Sequence, residues 1–212
     1  MTRPRILLAD DHTLMAEALQ HLLQADFDVV GIVSDGRALL KAAAELKPEV
    51  VVIDIAMPLL NGLDAGEQLI AMFPRIKVIY LTQNREPRIA AEALRRKAAG
   101  YLLKDSAASE LTTAIREALQ GRRYISPSVA EKMADAGIGP EPRDATLREL
   151  SAREREVLQL LAEGKSMKEV AAILDISPRT VEFHKYRMME LLGLTTGAEL
   201  VQYAIKHGLI AS

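Results

Sequence analysis

The first 121 residues alternate between two hydrophobic patterns. Short apolar runs, rich in β-branched side chains, occur at Arg5 to Ala9, Phe27 to Val33, Val50 to Asp54, Lys77 to Thr82 and Gly100 to Leu103. Runs of this length and composition suit strands covered on both faces. Between them lie segments with apolar residues at helical spacing. Thr13 to Ala25 sets Leu14, Ala18, Leu22 and Leu23 on one face. Asp35 can cap a helix through Leu46, which Pro48 terminates. Asn61-Gly62 reads as a turn before a helix from Leu63 to Met72. Helices over Pro87 to Ala98 and Ser109 to Gln120 follow, the second with Ser109 as its cap and Gly121 just past its end. Five strand–helix units in this order predict an α/β fold, a five-stranded doubly wound parallel sheet with helices on both faces.

The pattern changes after Gly121. Arg122 to Thr146 reads as a linker containing one short helix, capped by Ser126 and running over Val129 to Ala134. Gly137, Gly139, Pro140 and Pro142 argue against regular structure beyond it. From residue 147 the punctuation is wholly helical. Ser151 with Glu154, Ser166 with Glu169 and Thr196 with Glu199 have capping-box spacing. Ser177-Pro178 supplies a cap and a first helical residue for a helix to Leu192, with Gly193 after it. The predicted helices therefore end near Gly164, Leu174, Leu192 and His207. The three-residue gap Asp175-Ile176-Ser177 suits a helix-turn-helix within a small all-α, four-helix domain.

Composition narrows the classes. Hydrophobic content is 49%, enough for packed cores, and net charge is −2, so no strong global attraction to polyanions is implied. The absence of cysteine removes disulfides and thiolate metal sites. No apolar run approaches the roughly 20 residues of a membrane helix, and the N-terminal apolar stretch ends at Asp10, too early for a signal peptide. A cytoplasmic protein with no membrane partner is expected.

The candidate chemistry lies where strands end. In an open parallel sheet, ligands bind at the carboxyl edge of the strands. Four strands carry polar groups to that edge: Asp10 and Asp11 from the first, Asp54 from the third, Thr82 from the fourth and Lys104 from the fifth. Each alone is an ordinary turn or cap residue. Together, three carboxylates would raise one another's pKa unless a cation joined them. A hard divalent cation with oxygen ligands, such as Mg²⁺, resolves that repulsion. A hydroxyl and an ammonium beside it could stabilise a transferred phosphoryl group.

On these residues the chain resembles a known family. Asp10-Asp11, Asp54-Ile55-Ala56-Met57-Pro58, Asn61-Gly62, Leu81-Thr82 and Gly100-Tyr101-Leu102-Leu103-Lys104 are similar to the flavodoxin-like receiver domain of two-component response regulators, over residues 1–121. The resemblance implies that Asp54 is the phosphoacceptor for a sensor histidine kinase. It implies that Asp11 and the Ala56 backbone carbonyl ligate Mg²⁺ beside Asp54, with Asp10 reaching it through water. Thr82 and Lys104 would contact phosphoryl oxygens, and Tyr101 would be an aromatic switch residue. Two positions depart from the pattern. Asp105 stands where many receivers have proline, and a non-proline cis bond costs about 3 kcal/mol. Ala56 and Asn84 occupy the two positions that tune phosphoryl lifetime in the family, and they leave that lifetime open.

The second half resembles the LuxR-type helix-turn-helix over residues 147–212. The residues that carry this include Leu150-Ser151-Ala152-Arg153-Glu154, Glu169-Val170-Ala171, Thr180-Val181-Glu182-Phe183-His184 and Leu191-Leu192. With a receiver in front, the chain resembles the NarL/FixJ class of response regulators. In the third helix, Val181, Met188, Leu191 and Leu192 share one side and are expected inside. Glu182, Phe183 and Tyr186 project opposite, towards base edges, and Arg179, Thr180, Lys185 and Arg187 flank them, suited to phosphates. Residues 147–212 hold nine basic and nine acidic side chains. A single copy should then bind double-stranded DNA weakly, and a homodimer on paired half-sites is expected.

The leading expectation is a phosphorylation-controlled transcription regulator, with RNA polymerase as a further partner. It would not be an enzyme, apart from Mg²⁺-dependent phosphorylation and dephosphorylation of itself. Its output would be release of the third DNA-binding helix from the receiver, dimerisation, or both. A constitutive DNA-binding protein with a receiver used only for dimerisation is an alternative. A phosphatase of the haloacid dehalogenase type is another, but Asp54-Ile55-Ala56 lacks the second Asp two residues on.

Overall fold

The computed structural model describes residues 2–138 and 150–210. The first half forms the expected sheet. Strands β1 (Arg5–Ala9), β2 (Asp28–Val33), β3 (Val50–Asp54), β4 (Lys77–Thr82) and β5 (Gly100–Leu103) alternate with helices α1 (Thr13–Leu23), α2 (Gly36–Leu46), α3 (Gly62–Met72), α4 (Pro87–Arg95) and α5 (Ala107–Leu119). All pairings are parallel. The strand order β2-β1-β3-β4-β5 puts the switch point between β1 and β3.

Side-chain alternation along the strands fills two cores. Leu7, Val51, Ile53, Val78, Tyr80 and Tyr101 face α2, α3 and α4, whereas Ile6, Leu8, Val50, Val52, Ile79 and Leu102 face α1 and α5. Every residue of β3 is buried. That explains why its sequence is an unbroken apolar run up to Asp54.

The sheet has six strands, one more than expected. The strand β6 (Tyr124–Ile125) pairs in parallel with β5, through Gly100↔Tyr124 and Tyr101↔Ile125. Helix α6 (Pro127–Asp135) follows and buries Val129 and Met133 in the same core as Tyr101. Residues 122–135, read from sequence as a linker with a short helix, are therefore part of the sheet assembly. A two-residue strand carries no period that a pattern could reveal. The remainder of the expected linker, residues 139–146, lies outside the described residues.

Several boundaries also move. Asn61-Gly62 is not a turn. Asn61 is the N-cap of α3, its side chain accepting from the Asp64 N–H, and Gly62 is the first helical residue. A Cβ at Gly62 would lie 2.2 Å from the backbone oxygen of Asp54, so only glycine lets α3 start this close to β3. Helix α5 begins at Ala107 instead of Ser109, after a short 3-10 turn over Lys104–Ser106. No cis peptide occurs among the described residues, so Lys104–Asp105 is trans.

Four helices form the second domain: α7 (Ala152–Ala162), α8 (Met167–Leu174), α9 (Pro178–Leu192) and α10 (Gly197–Lys206). All three expected capping boxes are formed, at Ser151/Glu154, Ser166/Glu169 and Thr196/Glu199. Val181 and Met188 are buried as expected, but Leu191 is 45% exposed and Met189 is buried in its place. Both positions flank the inward stripe set by Val181 and Met188, so helical period alone does not choose between them. The domain packs on the receiver through α7. Arg155 Nε donates to Asp64 Oδ1 (2.7 Å), and Glu156 accepts from Arg37 (2.9 Å) and Gln68 (3.1 Å).

The covering role of α6 is testable. Val129→Asp places a carboxylate in the core beside Tyr101 and should destabilise the receiver transition by about 3 kcal/mol in urea unfolding. A change within about 0.5 kcal/mol is what a free tether would give.

Candidate functional site

The strand ends bring the expected groups together. Asp54 is the last residue of β3 and pairs with Leu81 of β4, so Thr82 stands one position beyond on the neighbouring strand. Thr82 in turn pairs with Leu103, and Lys104 follows it. Asp10 continues β1, whose Ala9 pairs with Ile53. Lys104 Nζ lies 2.8 Å from Asp54 Oδ2 and 2.8 Å from Asp10 Oδ2. Asp10, Asp54, Thr82 and Lys104 are all buried, while Asp11 lies at the open rim.

One ammonium between two buried carboxylates does not balance their charge. Burial pushes the Asp54 carboxyl above its ordinary range and nearby Asp10 adds to this, while Lys104 and the Ala56 N–H (3.3 Å) pull it down. The net direction is upward. Burial acts to lower the Lys104 ammonium, but its contacts with Asp10 and Asp54 outweigh this and raise it. Ligand atoms of Asp10, Asp11, His12 and Asp54 all lie within 4.8 Å of one another. The three carboxylates of that set, with their excess of negative charge, suit a divalent cation.

His12 was missed by sequence reasoning, although it directly follows Asp10-Asp11. Its Nδ1 is 2.8 Å from Asp11 Oδ1 and 3.3 Å from Asp10 Oδ1, and its backbone N–H donates to Asp10 Oδ1.

Thr82 and Tyr101 are joined through Asn84. The Asn84 N–H donates to Thr82 Oγ1 (3.0 Å), and the Asn84 carbonyl accepts from the Tyr101 hydroxyl (3.2 Å). Tyr101 is wholly buried, which pushes its hydroxyl pKa up. The ring of Tyr101, expected as the aromatic switch residue, thus points inward in this chain.

The second candidate surface is α9. Glu182, Phe183, Tyr186, Arg179 and Arg187 are exposed, and Thr180 and Lys185 are partly so. Phe183 is 61% exposed and Tyr186 58%, which is unusual for large rings outside a binding surface. Arg187 stays exposed while its Nη1 lies 3.3 Å from the buried Glu154. The outer face of α9 is open, so the receiver holds α7 and not the expected third helix.

Among the described residues, no helix is long and apolar enough to cross a membrane.

The state of Asp54 has a measurable consequence. Its folded pKa lies above the ordinary aspartate value, so the folded chain binds this proton more readily than the unfolded one. The stability this confers is full below the ordinary carboxylate range and is lost as pH rises through the raised value. Without divalent cations at neutral pH, Asp54→Asn should therefore raise the receiver's Tm by about 2–4 °C. Calorimetry across pH should show the difference shrinking on acidification. An unchanged or lowered Tm at neutral pH would mean that Lys104 fully compensates the buried charge.

Comparison with known proteins bears on both surfaces. Residues 6–116 match the response regulator receiver domain, and residues 148–204 match the bacterial regulatory proteins of the luxR family. The chain is 35% identical over 209 residues to the response regulator GacA of Pseudomonas aeruginosa, covering 97% of each chain. It is 34% identical over 206 residues to the response regulator UvrY of Escherichia coli, covering 96% of this chain and 94% of that one. A solved structure of Salmonella typhimurium RcsB is 28% identical and aligns with a TM-score of 0.65, covering 96% of this chain and 97% of that one. An RcsB–DNA complex aligns with a TM-score of 0.61 at 27% identity, covering 95% and 98%. With a receiver and a LuxR-type DNA-binding domain in one chain, this protein belongs to the two-component response regulators that control transcription.

Proposed function

We propose that phosphotransfer from a sensor histidine kinase to Asp54 controls dimerisation and sequence-specific binding of DNA by α9. The observation that carries this reading is the placement of Lys104 between Asp10 and Asp54 at the carboxyl edge of the sheet. A carboxylate oxygen of Asp54 attacks the phosphorus of a phosphohistidine or phosphoramidate. The P–O bond forms as the P–N bond breaks, and the nitrogen leaves with the electron pair after taking up a proton. Asp10, Asp11, Asp54 and the Ala56 carbonyl would hold Mg²⁺, which neutralises charge between the carboxylates and the incoming phosphoryl oxygens. Lys104 and the Thr82 hydroxyl contact those oxygens.

The phosphoryl group adds roughly two negative charges. Thr82 turning towards it releases the Asn84 N–H, and Asn84 passes the change to Tyr101 and the start of α4. Residues 1–121 carry this chemistry and residues 147–212 the DNA contact. RcsB dimers bound to DNA support paired half-sites read by a homodimer. A DNA-binding regulator of this kind works in the cytoplasm, and RNA polymerase is a further partner.

The reading is tested with phosphoramidate and Mg²⁺. The chain should gain one phosphoryl mass and bind its operator more tightly, and Asp54→Asn should do neither. Gain of the same mass and affinity by Asp54→Asn would refute the assignment. On the DNA side, Phe183→Ala or Tyr186→Ala should weaken operator binding by about tenfold or more while leaving phosphorylation intact. Glu182→Ala should relax the choice of bases in a random-sequence selection. If all three bind as the unsubstituted chain does, the outer face of α9 is not the reader.

A further inference from the structure

The chain that leaves Asp54 is completed by hydrogen bonds from the other domain. Gln159 lies on α7 and is wholly buried against the loop between β3 and α3. Its Nε2 donates to the Met57 carbonyl (2.9 Å), and its Oε1 accepts from the Asn61 N–H (2.7 Å) and Asn61 Nδ2 (3.2 Å). One helical turn on, Glu163 Oε1 accepts from the Leu59 N–H (3.1 Å) and from Gln159 Nε2 (2.8 Å). Two side chains at i and i+4 thus bind three backbone groups of the loop.

The loop conformation depends on this docking. Leu59 has φ 65°, a left-handed backbone that costs a β-carbon residue about 1–2 kcal/mol. Its side chain packs against the core of the DNA-binding domain, which offsets the strain. Undocked, Leu59 would lose that packing and the loop would relax. Ala56 is joined to this loop directly. The Met57 N–H donates to the Ile55 carbonyl (3.1 Å), which sets the plane of the Ala56–Met57 peptide and hence the direction of the Ala56 carbonyl. Any rotation of that peptide pivots at Met57, whose own carbonyl Gln159 holds.

We infer that Gln159 is a positioning residue for the phosphoacceptor site: from the DNA-binding domain it holds the loop after Asp54 in its docked form and so opposes phosphoryl binding. The inference rests on Asp54 being the phosphoacceptor. Coupling is reciprocal, so the factor by which the α7 grip weakens phosphoryl-group binding is also the factor by which that group weakens docking. The regulated contact is then the grip of α7 on the loop, since the outer face of α9 is already open.

The test uses the full chain and beryllofluoride with Mg²⁺ as an equilibrium phosphoryl mimic, titrated by calorimetry. Gln159→Ala should tighten its binding by at least about fivefold. Gln159→Met keeps the side-chain length without the hydrogen bonds and should act likewise; behaviour like the unsubstituted chain would mean that volume alone matters, and would overturn the inference. Arg155→Ala loosens docking at Asp64 without touching the loop and should tighten binding in the same direction, which keeps the test open if a Gln159 variant folds poorly. Unchanged or weaker binding in all three variants overturns the role of Gln159 while leaving Asp54 intact. No binding of beryllofluoride by any chain, the unsubstituted one included, overturns the phosphoacceptor reading and this inference together.

Discussion

A buried ammonium between two buried carboxylates is the constraint on which this molecule turns. Lys104 meets Asp10 and Asp54 at 2.8 Å each, in a place where neither acid can be solvated. Isolated charges in such a site would be very unfavourable, and pairing only partly compensates them. The arrangement persists because rigid neighbours hold it. The three residues sit at the ends of β1, β3 and β5, and the strands behind them are filled by apolar side chains on both faces. The unbalanced negative charge that remains is what a divalent cation can relieve, and a bound cation can then accept phosphoryl oxygens.

The same rigidity makes the edge a sensitive reporter. Thr82, Asn84 and Tyr101 form one hydrogen-bonded line from the site to the face covered by α4 and α6. Tyr101 is wholly buried in the core that Val129 and Met133 share, so a change at Thr82 cannot be absorbed by a ring swinging in solvent. On the other flank, the loop after Asp54 runs under α7. Asp64 sits there as a shared anchor, accepting Arg96 from the end of α4 and Arg155 from α7 on one oxygen, each at 2.7 Å. A shift of α4 and a shift of α7 therefore meet at one carboxylate.

Much of this could be read from residues alone. Asp54 closes a strand whose four preceding residues are all apolar, and Lys104 directly follows another strand, so the sheet edge and its chemistry follow from strand pattern and order. Helix ends in the second half followed from Ser151, Ser166 and Thr196 with their acidic partners, because a capping box is a local interaction. What failed was non-local or too short to have a period. β6 is two residues long and exists only because β5 has a free edge. Asn61 looked like a turn residue because its capping role depends on α3 starting against β3. Gln159, between Leu158 and Leu160, has no sequence mark that separates it from a solvent-facing glutamine.

The sequence by itself determined the class of fold, the acidic edge with its lysine, and the helix-turn-helix with an aromatic and basic outer face. These depend on periodicity, on chain order and on hydrogen bonds between near neighbours. Only the tertiary structure decided how the two halves meet. Arg155, Glu156, Gln159 and Glu163 could each have been solvated, and their pairing with Asp64, Arg37, Met57, Asn61 and Leu59 spans about 90 to 120 residues of chain. Contacts at such separation are set by the complementary shape and charge of two folded surfaces, which no local pattern records.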